Sequence, residues 1–344
     1  RRTEIAAVED EIETLDLIQE EDMVVTMTHF GYVKRLSPDV YRTQNRGGRG
    51  VVGHVTKEED FVERMFVTST HSDIFFYTNR GRVFRTRCYA IPETSRTSKG
   101  VPVVNLVQLQ DGEKVTAMFP ADRALMESPT YLVTATRQGL IKRTRLSECS
   151  NIRKGGLLVQ TIREGDELIS VEVSGGQDDF IIASREGKCI RFSEEDVRPT
   201  GRGGMGVRSI RLDGQDVVVD MVKVISGGSV LTVTEKGMGK RTEEEQYRQQ
   251  GRGGKGILAM TLTERTGSLA CLKMVTDEQD VMLVRDDGTV IRTPASQIPV
   301  IGRATQGVRL MRVDEGTRIA CVALAPHAEE EEQEPAAAAD TSEE

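Results

Sequence analysis

Six segments of this 344-residue chain repeat the same spacing of glycines and cations. A marker glycine in each (Gly31, Gly81, Gly139, Gly187, Gly237, Gly288) is followed four residues on by an arginine: Arg35, Arg85, Arg143, Arg191, Arg241 and Arg292. Fifteen residues after each glycine stands a second cation: Arg46, Arg96, Lys154, Arg202, Arg252 and Arg303. Five of the six segments place another glycine at the nineteenth position (Gly50, Gly100, Gly206, Gly256, Gly307). A β-branched residue always comes next: Val51, Val101, Val159, Val207, Ile257 or Val308. A period near 50 residues means stacked or radially arranged units, each unable to bury its apolar face alone.

Each unit follows one internal order. An apolar, β-branched run such as Ile74–Thr78 or Val230–Thr234 leads to a short polar turn ending on the marker glycine. Glycine there supplies the left-handed backbone that closes a hairpin. A second strand runs into the first arginine, and a longer polar connection leads to a glycine-rich loop. Third and fourth strands follow, as in Gly206–Arg211. Four strands per unit and six units predict an all-β fold: a six-bladed, propeller-like ring or β-pinwheel. The blades are expected near residues 23–68, 72–119, 129–174, 178–225, 229–276 and 280–325, with Pro120–Pro129 as an insertion between the second and third. Residues 1–22 read as an acidic lead-in, in which Val8, Ile12 and Leu15 fit a short amphipathic helix or a segment pairing with the ring. Residues 327–344 read as a disordered acidic tail within which too little is apolar to fold.

Charge is unevenly placed. The chain is −8 overall, but the first 22 residues carry −7 and the last 18 carry −8, leaving the body at +7. A basic body between acidic ends suits a polyanionic partner, a property hidden by the overall balance. The five cysteines are widely spaced and lie in apolar runs, which predicts small core side chains in a reducing compartment. The four histidines show no metal-ligand spacing, and no apolar stretch is long enough to span a membrane as a helix. A start at Arg1-Arg2 reads as a fragment or processed chain of a cytosolic protein.

No catalytic constellation stands out. The sequences 201–206 and 251–256 match G-x-G-x-x-G, but each follows a turn and precedes an alternating strand. A dinucleotide site requires a strand before and a helix after. Lys255 is followed by glycine, so no phosphate-binding P-loop is present. The acid runs Glu194–Asp196, Glu243–Glu245 and Asp286-Asp287 are expected to be solvated surface.

The two cation registers carry the functional expectation. Isolated arginines at strand ends could merely guard blade edges. Twelve basic residues in twelve slots, one register lying in glycine-rich loops whose N–H groups can approach phosphate, predict a phosphate-binding rim. Lys99 and Lys255 add to the same loops. With no tryptophan and six tyrosines there is little to stack single-stranded bases on. No basic recognition helix is visible either. What remains is duplex DNA held by its backbone with little sequence preference. One cationic loop per blade makes an arc, and turning about 40 bp through roughly 180° costs on the order of 10 kcal/mol. Release of counterions from about ten phosphates could offset that, with affinity falling roughly as the ninth power of salt concentration.

The first loop, Gln44-Asn45-Arg46-Gly47-Gly48-Arg49-Gly50, resembles the seven-residue box of bacterial DNA gyrase A subunits: glutamine, two cations, two glycines, a cation and a glycine. Its flanks, Gly31–Leu36 before it and Val51–Gly53 after, agree. The six repeats are similar to the C-terminal β-pinwheel of those proteins. Degenerate boxes recur at 200–206 and 250–256. Asn45 departs from the pattern by replacing a cation, and Leu157-Leu158 replace the late cation and glycine of the third repeat.

The resemblance implies a module that lays duplex DNA around its rim with positive handedness, so that the ATP- and Mg2+-dependent holoenzyme of two A and two B subunits introduces negative supercoils. The box is implied to be essential for wrapping and to fasten the first blade to the last. The nucleophilic tyrosine of the family belongs to another domain, so no cofactor and no cleavage are expected here. The corresponding domain of topoisomerase IV and a propeller binding acidic protein partners are the rival expectations. An enzyme working in a propeller's centre finds no convergent acid or base set.

Overall fold

The structure, a computed structural model, describes residues 17–28, 30–37, 62–95, 97–287 and 289–326. The Gln44–Gly50 box, Arg96, the lead-in helix and the acidic tail lie outside the described residues.

Six antiparallel hairpins form the centres of six blades. They are β1 (Asp22–Thr28) with β2 (Tyr32–Leu36), and β4 (Asp73–Thr78) with β5 (Arg82–Arg87). Next come β8 (Tyr131–Thr136) with β9 (Leu140–Arg145), and β12 (Asp179–Ser184) with β13 (Lys188–Ser193). The last two are β16 (Ser229–Thr234) with β17 (Met238–Glu243), and β20 (Gln279–Arg285) with β21 (Val290–Pro294). The marker glycine turns the first five hairpins, with Gly81 at φ +73° and Gly237 at φ +76°, a region other residues enter only with strain; Gly288 lies outside the described residues.

Each first strand also pairs with the last strand of its own repeat: β3 (Val62–Ser69), β7 (Val115–Ala121), β11 (Leu168–Ser174), β15 (Val218–Lys223), β19 (Leu269–Val275) and β23 (Ile319–Pro326). These six strands neighbour one another in sequence order, and β23 returns to β3, closing the ring. At that closure the Cys321 thiol donates to the carbonyl of Val62 at 3.1 Å.

The short third strand of the second to sixth units is placed differently from the sequence expectation. It joins the preceding blade. β6 (Val101–Pro102) pairs with β2, β10 (Leu157–Leu158) with β5, and β14 (Val207–Arg208) with β9. Likewise β18 (Ile257–Leu258) pairs with β13 and β22 (Val308–Arg309) with β17. The second hairpin strand would otherwise present open N–H and C=O groups, and the donated strand pairs them. Five sheets are four-stranded; the sixth, β21-β20-β23, has three strands among the described residues.

The core lies between blades, as alternating faces require. Val25, Val33, Phe76 and Phe84 of the first two blades form one cluster, and Ile141, Phe180, Ile190 and Phe192 form another between the third and fourth. All five cysteines are buried and none forms a disulfide, as their apolar surroundings predicted. The insertion expected at Pro120–Pro129 is shorter: Pro120 and Ala121 still pair within β7, and residues 122–129 separate the second and third blades with a single-turn helix, α1 (Arg123–Glu127). Asp122 caps it, accepting from Leu125 N–H at 2.7 Å.

Candidate nucleic-acid interface

The glycine-rich loops sit where each repeat hands its short strand to the blade before it. Gly206 has φ +97°, and a Cβ there would stand 2.5 Å from the carbonyl oxygen of Ile141 on the receiving strand. Only glycine lets the loop enter the sheet edge so closely.

Adjacent loops are tied to one another. Thr161 N–H donates to Gly204 O at 3.3 Å, Arg211 N–H to Gly254 O at 2.8 Å and Thr261 N–H to Thr305 O at 3.1 Å. The cations reach across the same junctions: Arg252 Nη1 donates to Arg208 O at 3.3 Å and Arg303 Nη1 to Leu258 O at 2.6 Å. The loops of the third to sixth repeats thus make one hydrogen-bonded belt along the outer blade edges. On it Lys154, Arg202, Arg252 and Lys255 are exposed and Arg303 is half-exposed. Lys99, half-exposed, holds its ammonium 3.7 Å from the centre of the Tyr32 ring.

The arginines four residues after the marker glycine have a different fate. The hairpin register sets each opposite an apolar residue of the first strand: Val25–Arg35, Phe75–Arg85, Val133–Arg143, Ile181–Arg191, Leu231–Arg241 and Met282–Arg292. Directly opposed side chains share a face, so these arginines point between blades. Arg143 is 8% exposed and Arg241 5%. Arg143 Nη1 donates to Glu194 Oε2 at 3.2 Å and its guanidinium lies 4.7 Å from the Tyr131 ring centre. Arg191 bridges Asp179, at 2.8 Å, and Glu244 of the next blade. Arg241 Nε donates to Ile298 O at 2.8 Å and its Nη1 pairs with Asp277. Arg35 Nε donates to Ile91 O at 2.8 Å and its Nη1 lies 3.4 Å from Glu93. Arg292 meets Asp280 at 2.7 Å. Arg85 alone among the six is exposed, 3.8 Å from an Asp73 carboxylate also paired with Arg87.

Two expectations are corrected together. The first register is not laid along the outer belt, and the acid runs are not uniformly solvated. Glu194 is fully buried, accepting from Ser174 Oγ at 2.6 Å and Asp178 N–H at 2.7 Å besides Arg143. Glu244 is buried beside Arg191. Arginine and acid are two halves of a lock between neighbouring blades. The overlooked sequence signal is the apolar residue ten positions before each arginine.

A second unforeseen feature concerns the inner strands. Asp220 and Lys273 pair there at 2.8 Å, and burial pushes the Glu172 carboxyl up to about 7 against the pull of Lys273. Arg64 donates from Nη2 to Thr116 O at 2.6 Å. These contacts join neighbouring inner strands. No metal-holding cluster of His, Cys, Asp or Glu occurs among the described residues.

Comparison with known proteins agrees with this architecture. The family model described as "DNA gyrase C-terminal domain, beta-propeller" matches six times, at 22–69, 72–122, 130–174, 178–225, 228–270 and 279–320. The DNA gyrase A protein of Staphylococcus epidermidis is 44% identical over 327 residues, covering 94% of this chain and 36% of that protein. Its counterpart from Staphylococcus aureus is 45% identical over 338 residues, covering 97% of this chain and 38% of that protein. The chain therefore spans little more than a third of the relatives it matches. Among solved structures, a DNA gyrase A C-terminal domain superposes with a TM-score of 0.76 at 25% identity, covering 88% of this chain and 99% of that one. The C-terminal domain of a DNA topoisomerase IV has a TM-score of 0.72 at 20% identity, over 90% of this chain and 94% of that one, a likeness of fold. Six blades, five of them with an exchanged edge strand among the described residues, six family matches and extensive identity to gyrase A proteins place this chain in the DNA gyrase C-terminal domain family.

Proposed function

We propose that this chain binds duplex DNA along its outer belt and bends it around the ring, as the DNA-wrapping part of a gyrase A protein. The observation that carries this reading is the linkage of successive glycine-rich loops by backbone hydrogen bonds, which gives Lys154, Arg202, Arg252, Lys255 and Arg303 one continuous track. Phosphates spaced along a duplex can meet such a track without any base being read. Arg46 and Arg49 of the box would extend it around the first repeat, and Arg96 and Lys99 around the second. The inter-blade arginines would contribute rigidity, holding the ring against the bending force of the duplex.

In this reading the chain cleaves nothing and needs no cofactor. ATP and Mg2+ would serve the remainder of the gyrase A protein and its gyrase B partners, to which the wrapped segment is presented for strand passage on the bacterial nucleoid. The test is ligation of nicked circular DNA in the presence of the chain, combined with a salt titration of affinity. A shift in linking number, positive in sign, and affinity falling steeply with salt are expected. Weak, salt-insensitive binding with no topological shift would transfer the case to an acidic protein partner.

A further inference from the structure

One residue before each inter-blade arginine, the six blades alternate. The first, third and fifth carry Lys34, Lys142 and Lys240; the second, fourth and sixth carry Phe84, Ile190 and Ile291. The cross-strand partners alternate with them. Thr26, Thr134 and Thr232 face the lysines, whereas Phe76, Ile182 and Leu283 face the apolar residues. The ring of six is thus chemically a ring of three pairs.

The lysines are no more than 1% exposed, and each lies beneath the connecting loop of the following repeat. Lys34 Nζ donates to Ser98 O at 2.9 Å and Ser95 O at 3.4 Å. Lys142 Nζ donates to Arg202 O at 3.2 Å, to Thr144 Oγ1 at 2.8 Å and to Val159 O. Lys240 Nζ donates to Gly302 O at 2.7 Å, to Thr305 Oγ1 at 3.2 Å and to Arg303 O. The carbonyls of Arg202 and Arg303, both on the belt, are therefore held from below by an ammonium. No lysine lies beneath the glycines of the third- and fifth-repeat loops, which rest on carbon instead, although Arg82 Nη2 donates to Gly155 O from the side. A Cβ at Gly156 would stand 2.7 Å from the Phe84 ring, and one at Gly254 would lie 3.5 Å from Ile190 Cδ1.

We infer that Lys34, Lys142 and Lys240 are positioning residues which fix every second DNA-facing loop through its backbone carbonyls, so that the belt grips with three-fold alternation. This rests on the reading that the belt carries DNA. An ammonium has three N–H donors for these carbonyls and hydroxyls, whereas a neutral amine has two. Burial lowers each lysine to about 8. Glu148 and Cys149 oppose that lowering at Lys142, while at Lys240 Arg303 adds to it and Cys189 opposes it.

A pH titration separates positioning from mere stabilisation, because the two respond with opposite sign. The folded value lies below the unfolded 10.5, so each lysine adds stability as pH rises from about 8 towards 10.5. Over the same range the loops lose a donor and DNA affinity should fall. The experiment compares the wild-type chain, the Lys34→Met/Lys142→Met/Lys240→Met variant and a Leu272→Met control buried on the inner strand β19. Affinity for a duplex of about 40 bp is measured at pH 7 and 9 at constant ionic strength, with amide exchange of the loops followed in the absence of DNA.

Wild type and control should lose affinity about fivefold per released loop between those pH values. The triple variant should bind weakly at both, with faster exchange confined to the loops around Ser98, Arg202 and Arg303. Relative to that variant, wild type should gain thermal stability from pH 8 to 9. Should the triple variant fail to fold, Lys142→Met alone is expected to quicken exchange at 200–206 and spare 251–256. Wild-type affinity and an unchanged pH profile in the folded triple variant would overturn the inference. Normal exchange effects with no DNA binding by wild type would remove the DNA reading instead, and with it the functional role of the alternation.

Discussion

The two cation registers are alike in the sequence and opposite in the structure. Both recur six times with cations in every slot. Arg143 and Arg241 are buried between blades, whereas Arg202 and Arg252 stand in exposed loops. What separates them is the backbone beneath. A residue inside a hairpin strand must point to the face its cross-strand partner occupies, and Val133 and Leu231 face the core. A residue in a glycine-rich loop has no such partner. Identical charge therefore serves cohesion in one place and display in the other.

The largest effect expected from breaking that contrast is Arg143→Ala. It strands Glu194 in the core and should destabilise the ring by about 3–5 kcal/mol, since removing one partner leaves a buried charge uncompensated. Denaturant unfolding reads this directly. An unchanged midpoint would mean that water reaches Glu194 and that the lock is not one. Next comes replacement of the belt cations Lys154, Arg202 and Lys255 by alanine. Surface changes of this kind should each move stability by no more than about 0.5 kcal/mol. The slope of log affinity against log salt should nevertheless shrink by about 2.7. A full slope would place the DNA elsewhere. Arg85→Ala should give the smallest effect, about 1 kcal/mol or less, because the Arg85 side chain is itself exposed and Arg87 remains to pair with the buried Asp73. A loss as large as that at Arg143 would show that register position, and not burial, governs the inter-blade arginines.

Much of the fold was legible. The 50-residue period, the turn glycines and the apolar runs point to six β-blades because a hairpin announces itself within about ten residues. The exchange of the short strand was not, since a two-residue strand such as Val207-Arg208 pairs with residues nearly 70 positions away. Nothing local says which sheet edge it will meet. The lysine alternation was written in the chain at Lys34, Lys142 and Lys240, but a lysine beside an arginine reads as surface until its neighbours are known. The acid runs mislead for the same reason: Glu194 and Glu244 look solvated until Arg143 and Arg191 arrive from the preceding blade.

By itself the sequence determined the number of blades, the positions of their turns and the presence of two periodic sets of cations, all consequences of short-range backbone preference and side-chain period. Only the tertiary structure decided which set faces outward, which acids neutralise the other and which blade receives each short strand. Those outcomes depend on contacts between repeats, where burial and pairing override what a residue's charge alone would suggest.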